Sequence, residues 1–381
     1  MKKLIILPGG FQYLGGTVVS LSLLIQGFKS LNQVNRICVI VQANSITHQY
    51  LKKTGQTDCL VLIDESSPIK CMRQAFEWIN QQPRHDPLLL DNWTNRELMP
   101  LLILESVRLR LTRRSVYHFC HDLCASNNYL GFLLRKLAFT CLSPKAICNS
   151  QFTANHIRVL ITNIKGVLYQ PVDTHKFSPG AQNIPSALVS IIEKERKILL
   201  TPSRLNKPGI VNDKNLRALI PVIAELKRLG HNYHGVIVGS DQSTDGRYSR
   251  ELLNQAEQWG VADRLTILPS QIDIENFYPY ASAVVTLAPR EPFGRIVVEA
   301  ISCGVPIIGS NTGGIYEILL NFAPDWAVNP DCPNLVAYKI IEVTNSLETH
   351  NTLLKAREWV VENCGIEKYA SEILRIVSIP I

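Results

Sequence analysis

Residues 289–319 read PREPFGRIVVEAISCGVPIIGSNTGGIYEIL. Apolar runs at 283–287 and 305–309 read as strands. Gly294 followed by the apolar-periodic IVVEAI reads as a loop turning into a helix. The stretch is therefore a strand–helix–strand unit of a parallel sheet. Seven residues, Gly294 among them, separate Glu291 from Glu299. A helix beginning at Gly294 places Glu299 one to two turns inside it and Glu291 in the preceding loop, so both carboxylates can face one pocket. A helix start offers free N–H groups and positive potential, which suit a phosphate or sugar oxygen. A carboxylate beside it can accept two hydrogen bonds from a vicinal diol, as in ribose. The same residues also fit an ordinary loop-to-helix junction with a Glu answering the helix dipole.

Outward from this unit the rhythm repeats. Strands are expected near 3–7, 36–41, 59–63, 88–91, 116–120, 146–149 and 166–169, then near 197–201, 234–239 and 265–268. The intervening segments read as helices, for example 215–229, where Leu216, Leu219, Ile220, Ile223 and Leu226 keep helical spacing. PVDTHKFSPGAQNIPS interrupts the series with three prolines and a glycine, so a linker is expected there. The expectation is two doubly wound α/β domains, 1–178 and 197–364. A linker over 179–196 joins them, and a helix within 365–381 crosses back onto the first. Open parallel sheets bind ligands at their strands' carboxyl ends, so the active site is expected in a cleft between facing domains.

Composition narrows the classes. The 381 residues are 46% hydrophobic and 19% charged, ordinary globular usage that excludes a disordered, collagen-like or coiled-coil chain. Ten cysteines without a C-x-x-C pair, several in apolar runs, read as buried reduced thiols of a cytoplasmic protein. The opening MKKLIILPGG breaks at Pro8, too soon for a signal peptide. No apolar run reaches transmembrane length. Net charge is +7, unevenly spread: residues 1–180 hold 20 Lys and Arg against 10 Asp and Glu, and the remainder carries −3. Arg108, Arg110, Arg113, Arg114, Arg135 and Lys136 concentrate in the basic half. They read either as a solvated helix face or as a patch for an anionic surface.

Three further stations carry chemistry. TPSRLNKPGIVNDKNLRALI follows the first strand of the second half and holds Arg204, with Lys207 and Lys214 as alternative partners. LPGGFQYLGGTVVS places Gly9 and Gly10 in a turn and Gly15 and Gly16 before a helix, with Thr17 next. Such glycines let backbone approach a phosphate closely. VYHFCHDLC sets His118 and His121 at a strand end. Near neutral pH an imidazole can donate or accept. PGGFQYLGG does not supply the G-x-G-x-x-G of a dinucleotide-binding oxidoreductase.

Together these residues resemble the family 4 glycosyltransferases of the GT-B fold, also called glycosyl transferases group 1. The matching positions are Glu291, Phe293, Gly294, Glu299, Ala300, Gly304, Pro306, Gly313, Gly314 and Glu317. SQFTANHIRV, LYQPVDTHKFSP and VIVGSD echo the family elsewhere, with Gln170-Pro171 in place of its common Asn-Gly. Arg295 occupies a place often aliphatic.

The resemblance implies a retaining transfer of a sugar from a nucleoside-diphosphate sugar to a glycan or lipid-linked acceptor, in polysaccharide or envelope glycan synthesis. It implies that Glu299 binds ribose hydroxyls. Glu291 with Phe293 and Gly294 binds the donor sugar. Arg204, Lys214 (or Lys207), Gly15 and Gly16 hold the diphosphate, and Gly239 borders the base. His121 lies near the reacting carbon, and Arg295 reaches an anionic group on the donor. Fixed cations would stabilise the charge on the departing diphosphate. No cofactor and no metal are expected, since the Asp-x-Asp signature of the other transferase fold is absent. The expected partners are the nucleotide sugar, the acceptor and an anionic membrane surface touched peripherally by the basic half; nucleic acid is not. A GT-B phosphorylase, a sugar-nucleotide epimerase and a non-catalytic sugar-nucleotide-binding protein are the alternatives.

Overall fold

A computed structural model describes residues 2–125, 129–180, 183–209 and 213–379. The chain divides into two compact units, Met1–Pro171 with Cys364–Ile381, and Val172–Asn363.

The first unit is built on seven strands: β1 Leu4–Pro8, β2 Ile37–Gln42, β3 Leu60–Ile63, β4 Leu88–Asp91, β5 Val116–Cys120, β6 Lys145–Cys148 and β7 Ile164–Val167. Among the described residues they form one sheet, in the order β3-β2-β1-β4-β5-β6-β7. Every pairing is parallel, with Ile5 of β1 opposite both Cys38 and Leu88. Both sheet faces are covered, so the central strands are continuously apolar: Leu4, Ile5, Ile6 and Leu7 are all buried. The helix Gly16–Ser30 lays Leu21, Leu24, Ile25 and Phe28 on this core at helical spacing.

The last helix, Ile366–Ile376, packs against the helix Gly16–Ser30 and adds Tyr369, Ala370, Ile373 and Leu374 to the same core. Gly27 permits this closeness. A Cβ there would stand 2.4 Å from the Ile366 carbonyl oxygen.

The second unit repeats the plan with β8 Lys197–Pro202, β9 Tyr233–Val238, β10 Leu265–Leu268, β11 Ala281–Thr286, β12 Ile307–Ser310 and β13 Ala327–Val328. Their order is β10-β9-β8-β11-β12-β13, again parallel throughout. The helix Leu219–Arg228 follows a short 3-10 turn at Leu216–Ala218. It buries Leu219, Ile220, Ile223 and Leu226, the stripe expected from sequence. Residues 179–196 include the helix Ser186–Ile192, where Leu188 and Ile191 turn inward.

The strand order reverses between β1 and β4 in the first sheet and between β8 and β11 in the second. At such a switch point the flanking loops leave in opposite directions and open a crevice at the strands' carboxyl ends. The loops after β1 and β4 border the first crevice, and those after β8 and β11 the second.

Candidate active site

The loop after β8 carries Arg204 and is pinned on both sides. Ser203 N donates to Val238 O, and Leu205 N donates to Ser240 O. Arg204 itself is exposed. Gly239 permits the contact, because a Cβ there would lie 1.9 Å from Ser203 O. Asp241 then locks the neighbouring loop, accepting bonds from the backbone N and Oγ of both Ser243 and Ser249. Burial alone would raise its carboxyl. These bonds outweigh that effect and hold it at about 2. Nothing in the sequence spacing marks Asp241 as the strut beneath the arginine loop.

Lys214 and Lys207 are separated by the structure. Lys207 is exposed, whereas Lys214 Nζ lies 2.5 Å from Glu291 Oε2. The loop between them includes 210–212, which lie outside the described residues. Asn215 holds the base of this loop from a left-handed conformation, φ +51°, by donating its Nδ2–H to Leu287 O. The Lys214–Glu291 pair thus bridges the two loops that flank the second switch point.

Glu291 is placed by the glycine pair downstream. Gly314 N donates to Glu291 O at 2.7 Å. A Cβ on Gly314 would meet Pro292 O at 2.4 Å, and one on Gly313 would meet Glu291 O at 2.8 Å. Gly294 takes φ +97° as the residue before the helix Arg295–Ser302, a conformation strained for other residue types. Phe293 is buried, and Glu317 sits half-buried on the helix Gly313–Leu319.

Glu299 lies one turn after Arg295 on its helix. Its Oε2 accepts a 2.8 Å hydrogen bond from Tyr278 Oη. Burial pushes the Glu299 carboxyl up, and the Arg295 charge and the Tyr278 bond only partly oppose this. Tyr278 is fully buried and meets Phe177 edge-on, with ring centroids 5.8 Å apart. It comes from a segment far from the glutamate motif, so sequence spacing gives no signal for it. Glu291 and Glu299 thus have different anchors, Lys214 and Tyr278.

In the first unit, Gly15 directly precedes the helix and Gly16 is its first residue. His121 follows β5 and its side chain is only 3% exposed. Its Nε2 lies 2.7 Å from Asp91 Oδ1 at the end of β4. Its Nδ1 lies 2.9 Å from Gln170 Nε2. With the amide donating to Nδ1, the Nε2 proton points at the Asp91 carboxylate. Ser20 Oγ, 3.3 Å from Gln170 Oε1 and bonded to Gly16 O, extends the chain to the glycine helix. The sequence places His121 at the strand end; the structure shows its ring nitrogens both engaged inside the protein. His118, buried on β5, faces Trp93 O and Cys120 Sγ. Burial lowers its imidazole to about 4.

The model of the family described as "Glycosyl transferases group 1" matches residues 189–358. This segment is a group 1 glycosyl transferase domain. All the proposed residues of the second unit fall within that glycosyl transferase domain. The sequence resemblance too is strongest after residue 197.

N-acetyl-alpha-D-glucosaminyl L-malate synthase of Bacillus anthracis is 26% identical over 182 residues, 48% of this chain and 45% of that protein. D-inositol 3-phosphate glycosyltransferase of Mycolicibacterium vanbaalenii is 30% identical over 154 residues, 39% of this chain and 33% of that protein. The chain thus spans less than half the length of these curated relatives.

Among solved structures, Anabaena HepE in complex with UDP-glucose is similar with a TM-score of 0.78 at 17% identity, covering 98% of this chain and 99% of that one. Sucrose-phosphate synthase of Thermosynechococcus elongatus gives 0.73 at 17%, covering 99% and 98%. At these identities the likeness speaks to fold. The fold is the GT-B type expected from the sequence, with two Rossmann-like α/β domains, the second of which contains the matched segment.

Proposed function

We propose that the protein is a retaining glycosyltransferase that moves a sugar from a nucleoside-diphosphate sugar to a glycan or lipid-linked acceptor. The observation that carries this reading is the Lys214–Glu291 pair, spanning the switch point of the group 1 domain beside the Gly294 helix start. A cation and a carboxylate held together there suit a diphosphate and the sugar attached to it. Glu299 serves the ribose hydroxyls, Arg204 and Lys214 the diphosphate, Glu291 with Phe293 and Gly294 the sugar, and Gly239 the base edge. Arg295 keeps Glu299 in an electropositive setting. Gly15 and Gly16 are the proposed substrate-binding residues of the first unit; His121, its ring nitrogens held by Asp91 and Gln170, is proposed as a positioning residue.

In the reaction, the bond between the sugar's anomeric carbon and the phosphate oxygen breaks, and the electron pair stays on the diphosphate. Arg204 and Lys214 stabilise that charge as it forms. The acceptor oxygen attacks from the face the phosphate leaves, and its proton passes to the departing phosphate oxygen. Configuration is retained without a protein nucleophile or a metal. A cytoplasmic location at an anionic membrane surface suits a lipid-linked acceptor.

Calorimetric titration with UDP and a panel of nucleotide sugars tests the donor site; UDP compounds come first because HepE is solved with UDP and UDP-glucose. Binding is expected for one donor and lost in Arg204→Ala and Glu299→Ala. Binding untouched by both substitutions would overturn the assignment.

A further inference from the structure

The helices Met99–Leu111 and Tyr129–Leu142 pack against each other at the surface of the first unit. Each buries one face, through Leu102 and Leu109 on one and Ala138 and Phe139 on the other. Each also leaves a second apolar stripe in solvent. Leu104, Val107 and Leu111 stand 67%, 59% and 78% exposed, and Leu130, Leu133 and Leu137 are exposed on the partner helix. Both triplets follow the same spacing, three residues then four, so each forms one line along its helix. Apolar residues scattered singly need no explanation, but two adjacent ordered stripes do.

Charge on this face is of one sign. Arg108, Arg110, Arg113 and Lys136 are exposed around the stripes. The acidic side chain of the two helices, Glu105, is buried against Arg108 and Asn80. Two members of the basic concentration seen in sequence play another part. Arg114 is buried and donates to the carbonyls of Ile79, Gln82, Pro83 and Asp86. Arg135 donates to Thr94 O and Ala125 O. Of the remaining four, Arg108 pairs with Glu105 and Arg110 reaches Thr140 O, yet all four keep exposed side chains that a partner can meet. Where the two helices end, an open groove of about 280 Å³ is lined by Arg110, Arg113, Ser143, Lys145 and Asn163. It offers cations and neutral donors and no carboxylate.

We propose that this two-helix face docks on an anionic phospholipid bilayer, with the leucine stripes entering the acyl boundary and the groove taking a phosphate headgroup. Apolar stripes rimmed by arginines and lysine are the makeup of interfacial helices. The uniform positive charge disfavours a second copy of this chain, whose matching face would repel it. Six exposed aliphatic side chains have no role against nucleic acid. The inference locates the membrane surface that the proposed function needs for a lipid-linked acceptor. It is tested without donor or turnover, so either reading can fail alone.

The full chain is mixed with vesicles of phosphatidylcholine alone or with an equal part of phosphatidylglycerol, and floated at low and high salt. Flotation is expected only with phosphatidylglycerol and is expected to fall with salt. The triple variant Leu104→Gln/Leu111→Gln/Leu137→Gln is expected to lose at least about 100-fold in partitioning. Arg110→Glu/Arg113→Glu is expected to lose the preference for anionic vesicles. Both variants should keep donor binding, which reports that they fold. Absence of flotation, or flotation unchanged in both variants, overturns the proposal. So does a dimer that the triple leucine variant disperses, or capture of soluble glycerol phosphate without vesicle binding.

Discussion

Lys214 Nζ and Glu291 Oε2 stand 2.5 Å apart, although 77 residues separate them in the chain. The contact is made because β8 and β11 are sheet neighbours at the point where strand order reverses. Their following loops meet over the carboxyl ends of those strands. Lys214→Ala should therefore lower nucleoside diphosphate release by roughly 100-fold or more, the scale of losing one charge-stabilising donor. Lys207→Ala should stay close to the unmodified protein. Equal losses in the two variants would remove Lys214 from its assigned role.

In its proposed role Glu299 is ionised when it accepts both ribose hydroxyls, and burial raises its carboxyl above the ordinary 4.5. Donor affinity should then weaken on acidification at a higher pH than an exposed glutamate would produce. Glu299→Gln should bind donor more weakly at neutral pH and show a flatter profile. Tyr278→Phe removes a bond to the ionised form, so it should shift the acid limb of the profile upward. Titrations of donor binding from pH 7 to 4.5 read both effects.

Gly314 is the position where the glutamate loop is closest to its support. Gly314→Ala should displace Pro292 and Phe293, because the added Cβ would meet Pro292 O at 2.4 Å. Gly27→Ala makes a comparable clash with Ile366 O, away from the proposed chemistry. Overpacking of this kind costs about 1–3 kcal/mol. Gly27→Ala should lower the melting temperature while the folded protein still binds donor; Gly314→Ala should lose donor binding as well. Denaturation curves paired with donor titration distinguish them.

His118 in the first unit and His234 in the second are both buried, and burial lowers each imidazole to about 4. On His234 the nearby Arg196 charge acts in the same direction. An unfolded histidine takes its proton near 6.5. Below that pH the unfolded chain binds more protons than the native one, so stability falls as pH drops from 6.5 toward 4. Each histidine contributes a slope of up to about 1.4 kcal/mol per pH unit. His118→Gln and His234→Gln should each flatten the dependence of stability on pH in this window, measured by chemical denaturation.

Much of this fold is legible in the residues. Strands buried on both faces must be apolar throughout, so runs such as LIIL and ILL stand out between amphipathic helices. β13, two residues long at Ala327–Val328, is too short to carry a pattern and was not expected. In the site, the glutamates and glycines are legible because helix starts and close backbone approaches demand them. Their anchors are not. Tyr278 reaches Glu299, and Asp91 and Gln170 enclose His121, from distant segments that only the sheet order brings together. For the same reason a histidine read at a strand end as open to a ligand is found enclosed by its neighbours.

The central claim is that a nucleotide sugar is turned over at the second switch point. The most direct measurement is release of nucleoside diphosphate from a panel of nucleotide sugars, in the unmodified protein beside Arg204→Ala and Glu299→Ala. Turnover of one donor, lost in both variants without loss of folding, is the predicted result. Turnover that survives both substitutions, or no release and no binding with any nucleotide sugar, would contradict it.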